Sequence, residues 1–205
     1  MFYHPMKGDH GLPFDPFKAI VAPRPIGWIS SLDAEGRPNL APYSFFNAVS
    51  AQPHIVMFSS VGEKDSVANV EATGDFVCNL ATWDLREAMS ETSASLPRGV
   101  SEFSAAGLEM APSRTVKAPR VAAAVAALEC KHLKSDRIAD LAGKWSGSII
   151  VFGEVTGVYI DDDHIRDGRF DMSDVRTIAR CGYRDYAVVD ELFEMARPKG
   201  TAEGV

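Results

Sequence analysis

The chain has 205 residues, 46% of them hydrophobic and 24% charged, with a formal net charge of −7. One domain of this size can bury roughly 70% of its unfolded surface without disulfides or a structural metal, which excludes disorder as the dominant state. The excess of 28 acidic over 21 basic side chains opposes any broad phosphate-tracking surface, so no nucleic-acid partner is expected, and no apolar run approaches the roughly 18 residues of a membrane helix.

The first 18 residues hold four aromatics, Phe2, Tyr3, Phe14 and Phe17, beside Pro5, Pro13 and Pro16. Such a segment cannot form one regular element, yet it is too aromatic to float free; it is expected to pack as an irregular arm on the core or on a second subunit. It lacks the basic-then-apolar order of a secretory signal. Residues 26–32 then alternate as a strand, Trp28, Ser30 and Leu32 on one face and Gly27, Ile29 and Ser31 on the other. DAEG at 33–36 is a turn of hairpin length, and a second strand is predicted over 38–49. Pro53 introduces a buried-strand run, HIVMFS at 54–59.

Asp65 or Ser66 is placed to cap a helix running to Thr73, with Gly74 closing it, and 75–81 reads as the next strand. DLRE at 84–87 has capping-box spacing for a helix to about 93. The proline-broken stretch 95–120 reads as a surface excursion, and PRVAAAVA at 119–126 as one or two helical turns. Strand character resumes over 128–133 and 148–160, DDDH at 161–164 is a turn, and the residues from Gly200 are expected to form a loose tail. Strands outnumber helices, and the helices fall in connections. The pattern predicts a mainly β protein, a small closed or split β-barrel with short peripheral helices, rather than a βαβ layout.

Several chemistries lack their parts. There is no GxGxxG opening a helix, no GxxxxGK[ST], no GxSxG and no HExxH. The five histidines stand singly, so no metal site is expected; Asp161, Asp162 and Asp163 read as a solvated turn. Cys78, Cys130 and Cys181, an odd count without CxxC spacing, read as small buried side chains in a reducing, cytoplasmic setting.

Two segments carry more. RPIGWISS at 24–31 and NLAPYSFFN at 39–47 put hydroxyls, amides and aromatic rings on two strands joined by one hairpin, and Ser44 to Asn47 break strict alternation. A flat heteroaromatic ligand needs that mixture of apolar wall and edge-facing donors; a core strand whose polar residues reach solvent would read the same way. SSVGEKDS at 59–66 leads from a strand end into a helix start, where serine hydroxyls, Lys64 and exposed N–H groups favour a phosphate; ordinary capping with a solvated lysine is the alternative. Together, an aromatic head and a phosphate tail describe a mononucleotide such as FMN.

The chain resembles the flavin reductase-like family of FMN-binding split barrels (Greek-key type), in particular its flavoredoxin and nitrilotriacetate-monooxygenase component-B branch. The likeness rests on PRPIGWISS at 23–31, NLAPYSFFN at 39–47, Lys64, Asp65, Ser66 and Asn69, with support from IARCGYRDY at 178–186 and from Arg197 and Pro198. It implies one domain over 1–205 with an arm at 1–18, an insert at 83–120 and a tail at 199–205. It also implies a homodimer with FMN near the subunit interface. Carried over by motif, the flavin ring lies along Tyr43, Ser44, Phe45, Phe46 and Asn47, and the phosphate beside Ser59, Lys64, Asp65 and Ser66. Arg24, Ser30 and Asn39 stand nearby, and Arg180 with Tyr186 closes the site. Asp65 is expected to act through its backbone N–H or as a cap, since its carboxylate repels phosphate. The implied activity is an NAD(P)H:flavin oxidoreductase in which nicotinamide passes hydride to FMN, with an oxygenase or electron-transfer protein as partner. An FMN-containing electron carrier, or an FMN-binding protein without NAD(P)H turnover, fits the same residues.

Overall fold

The computed structural model describes residues 1–97 and 100–198; the tail expected at 199–205 lies outside the described residues. In chain order the elements are α1 (Phe17–Ile20), β1 (Arg24–Pro25), β2 (Gly27–Leu32), β3 (Pro38–Tyr43), β4 (Phe46–Ala51), β5 (His54–Val61), α2 (Asp65–Thr73) and β6 (Asp75–Leu80). The second half comprises α3 (Arg86–Glu91), α4 (Glu102–Ala105), β7 (Met110–Ala111), β8 (Arg120–Val121), β9 (Ala126–Ala139), β10 (Trp145–Ile160), β11 (Ile165–Arg166), β12 (Arg169–Phe170), α5 (Met172–Val175), β13 (Ile178–Gly182) and β14 (Asp185–Val188).

Seven strands form one antiparallel sheet in the order β3-β2-β6-β9-β10-β5-β4. Its two edges are consecutive in the chain, joined only by Ser44 and Phe45. Three Cα steps span at most about 11 Å, whereas a flat sheet of this width would hold its edges about 29 Å apart. The sheet therefore curls on itself, and the seam between β3 and β4 makes it a split barrel. A Cβ on Gly27 would stand 2.5 Å from the Phe46 ring, so the missing side chain lets β4 cross against β2 at that seam.

The predicted alternation of β2 decides what lies on each side of the wall. Ile29 points into the barrel with Tyr43, Phe58, Phe76, Cys78, Cys130, Ile149 and Val151, and α2 plugs one end with Val67 and Val70. Trp28 points outward and is covered by Met89 and Phe103 of the insert and by Val121 of β8, its indole Nε1 donating to Thr92 Oγ1 at 2.9 Å. Cys78 and Cys130 are buried, with burial pushing the Cys78 thiol well up, and Cys181 is half-buried. Among the described residues, no helix is long and apolar enough to cross a membrane.

Four local expectations are corrected. The strand predicted over 38–49 is two strands, because the chain leaves one sheet edge at Tyr43 and joins the other at Phe46. The alanine-rich 119–126 is not helical: Arg120 and Val121 pair with β7, and Val121 N donates to the buried Asn79 Oδ1 at 2.7 Å. Tertiary hydrogen bonding overrides alanine's helix preference there. Asp84 caps nothing, since α3 starts after Leu85 without a side-chain cap. The cap of α2 falls on Lys64, one residue before Asp65, again with no side-chain bond.

Candidate functional site

Beside the seam lies a cavity of about 490 Å³, within the size range of small-molecule sites. One wall is the end of β3 and its link, with Asn39, Tyr43, Ser44 and Phe45, and Ser59 and Val61 of β5 stand next to it. Lys64, Asp65 and Ser66 bring in the start of α2, 92–96 of the insert and Glu102 of α4 close over it, and Lys18 reaches it from α1.

The α2 end offers backbone donors and the Lys64 cation, beside the Asp65 carboxylate. Val67 N and Ala68 N both donate to Lys64 O, at 2.9 and 3.0 Å, and no side chain caps the helix. The N–H groups ahead of them, on Asp65 and Ser66, are the donors a helix start leaves without intrahelical partners. A buried network fixes that start to the barrel. Asn39 Nδ2 donates to Ser66 Oγ at 2.9 Å, and Asn69 Nδ2 donates to Ser31 Oγ at 3.2 Å. Ser59 N donates to Phe45 O at 2.8 Å, stitching the link to β5.

Tyr43 adds an unpaired group. Its hydroxyl is buried within reach of the Ser66 and Ser60 hydroxyls, but neither meets it at full hydrogen-bond geometry. Burial pushes the phenol above its ordinary value, against the pull of those two hydroxyls, so it stays a protonated donor. An uncapped helix start, a lysine, two serines and an orphaned phenol at one end of a cavity fit a phosphate. The aromatic link beside them fits a flat ring.

Eight of the fourteen residues singled out from the sequence line this cavity: Asn39, Tyr43, Ser44, Phe45, Ser59, Lys64, Asp65 and Ser66. The other six stand elsewhere. Ser30 is fully buried, its hydroxyl donating to Pro119 O at 2.5 Å and accepting from Asn79 Nδ2 at 3.1 Å. Phe46 packs on the barrel core, and Asn47 Oδ1 accepts from Ala48 N at 2.8 Å. Arg24 is buried under the link: its guanidinium donates to the Lys18 and Val21 carbonyls and faces the Phe45 ring at 5.7 Å. Arg180 stands across the β1–β13 ladder from Arg24 and donates to Tyr186 Oη at 2.7 Å and to Tyr183 O.

Sequence reasoning missed Lys18, 92–96 and Glu102. Glu102 Oε2 accepts from Leu40 N at 3.1 Å, joining the insert to β3, a contact across 62 residues that no local pattern announces. Among the described residues, no cluster of three or more His, Cys, Asp or Glu is arranged to hold a metal ion.

A family model described as "flavin reductase like domain" matches residues 21–176. An uncharacterized protein of Aquifex aeolicus (strain VF5) is 35% identical over 173 residues, covering 82% of this chain and 85% of the relative. Among solved structures, nitrilotriacetate monooxygenase component B from Bacillus cereus matches with a TM-score of 0.84 at 27% identity, over 95% of this chain and 98% of that one. The 2-nitrobenzoate 2-nitroreductase of Pseudomonas fluorescens matches with a TM-score of 0.83 at 26% identity, over 96% of each.

Proposed function

From the premise that this chain belongs to the flavin reductase-like family, we propose that it is an FMN-binding oxidoreductase taking electrons from NADH or NADPH. The observation that carries this reading is the uncapped start of α2, with Lys64, Ser59 and Ser66, at one end of a cavity walled by Ser44 and Phe45. Lys64 and the Asp65 and Ser66 N–H groups would hold the phosphate, with the Tyr43 hydroxyl turned to it. The Ser44–Phe45 link would orient the ring, and the insert at 92–96 would limit water above it. Bound FMN would supply the redox chemistry, with a reduced nicotinamide as the hydride donor. Homodimerisation, and a monooxygenase that consumes the reduced flavin, belong to the same proposal. The structural match to a protein named as a monooxygenase component supports the second.

The test is an absorbance spectrum of the purified protein with FMN, repeated anaerobically after NADH and then NADPH. Oxidised flavin bands at about 370 and 450 nm, the cofactor's own absorption, with rapid bleaching by a nicotinamide, are expected. Bands that bleach only with a reduced protein donor would make it an electron carrier. A colourless chain that does not take up FMN overturns the reading.

A further inference from the structure

Lys18 brings a second cation to the cavity, from outside both segments that the sequence singles out. It stands on α1, four residues long and exposed, yet three features fix its backbone. The buried Arg24 guanidinium holds the carbonyls of Lys18 and Val21. The same guanidinium carbon lies 5.7 Å from the centroid of the Phe45 ring. On its other side α1 rests against β13 at Gly182, where φ is +99° and a Cβ would come within 2.7 Å of Ala19 Cα. Arg24 thus ties the backbone of Lys18 to the underside of the aromatic link, whereas Lys64 is tied to the helix start. Both lysines line the same cavity. The carboxylates that line it, Asp65 and Glu102, belong to α2 and to the contact with Leu40 N.

We propose that Lys18 sets the reduction potential of a flavin ring bound against Ser44 and Phe45, with Arg24 as its positioning residue; this rests on the FMN reading above. Hydride transfer moves two electrons and one proton from the dihydronicotinamide to the ring. The nicotinamide becomes the oxidised cation, and the ring gains one negative charge without a leaving group. A cation carried on that anchored backbone beside the link favours the charged form over the neutral oxidised one. A phosphate-holding lysine stabilises both forms equally.

The test uses the full chain loaded with FMN, as wild type, Lys18→Met and Lys18→Arg. Affinity is measured for oxidised FMN and, under dithionite, for reduced FMN; the potential is measured by anaerobic dye titration. Lys18→Met should keep oxidised FMN affinity within about twofold and lose about tenfold for the reduced form. That factor equals about 30 mV of lowered potential for a two-electron couple. Lys18→Arg should restore most of it. Equal losses for both forms would make Lys18 a phosphate or packing residue and overturn the proposal, as would an unchanged potential in Lys18→Met. A wild-type chain that binds no FMN overturns the parent reading, and this one with it.

Discussion

At the residue scale, the informative groups are those the folded chain leaves unfinished. A buried hydroxyl without a partner costs about 1–3 kcal/mol relative to a paired one, and Tyr43 carries one. Tyr43→Phe removes the unpaired group while keeping the ring in the barrel core. Its expected effect therefore has opposite signs in two states. FMN-free protein should unfold at equal or slightly higher denaturant, by up to about 1 kcal/mol, while FMN binding weakens by about 0.5–1.5 kcal/mol. Chemical unfolding of the FMN-free protein and fluorescence titration with FMN read the two signs separately; a variant destabilised without FMN would show the hydroxyl already partnered. Lys64 and Ser66 make a complementary case. Removing both, as Lys64→Ala with Ser66→Ala, should weaken FMN binding by roughly 1–3 kcal/mol through lost charge-assisted bonds. Because the Ser66 hydroxyl also accepts from Asn39, the single Lys64→Ala variant should show most of that loss with unchanged folding. Unchanged affinity in the double variant would remove the phosphate from this end of the cavity.

At the scale of elements, the link between β3 and β4 does two things at once. It closes the sheet across its seam, and it presents Ser44 and Phe45 to the cavity. Ser44→Trp should thus fill the ring's place without disturbing any ladder bond. Circular dichroism and unfolding should match wild type, and FMN should fail to bind at concentrations that saturate the parent. Normal flavin uptake would put the ring elsewhere. The broken alternation at Ser44 to Asn47 marks this link as a ligand wall. The sequence pattern still runs one strand through it over 38–49, because the jump from one sheet edge to the other is set by barrel closure and not by local period. Period exposes β2, and a short apolar run after Pro53 exposes β5. Local pattern fails where a distant contact decides. Val121 is held extended by Asn79, 42 residues away, so its alanine-rich neighbourhood misleads. Ser30 looks like a site hydroxyl in the motif, yet Pro119 and Asn79 already occupy it. Lys18 lies in a segment with no periodicity at all, and only the Arg24 anchor shows where it goes.

For the whole molecule, the N-terminal segment leaves large apolar side chains at the surface. Phe2 is 86% exposed and Phe14 70%, both on the arm, and Ile20, on the α1 turn that carries Lys18, is 73% exposed. Phe14 meets Tyr183 edge-on at 5.9 Å, which ties the arm to the β13–β14 turn but leaves most of its ring in water. Apolar area of this kind is costly on a monomer and ordinary at an interface between copies, so the arm is expected to pack on a second subunit. Sedimentation equilibrium at micromolar concentration should return twice the mass of the chain. Deleting residues 1–15 removes Phe2 and Phe14 but spares α1 and Lys18; it should weaken self-association at least tenfold while leaving the barrel's unfolding transition in place. If FMN lies near the interface, binding and dimerisation are linked by mass action. The truncated chain should then bind FMN more weakly when dilute and recover as its concentration rises. A wild type that stays monomeric throughout would show that the arm serves no self-association, and an FMN affinity independent of protein concentration would place the cavity within one subunit.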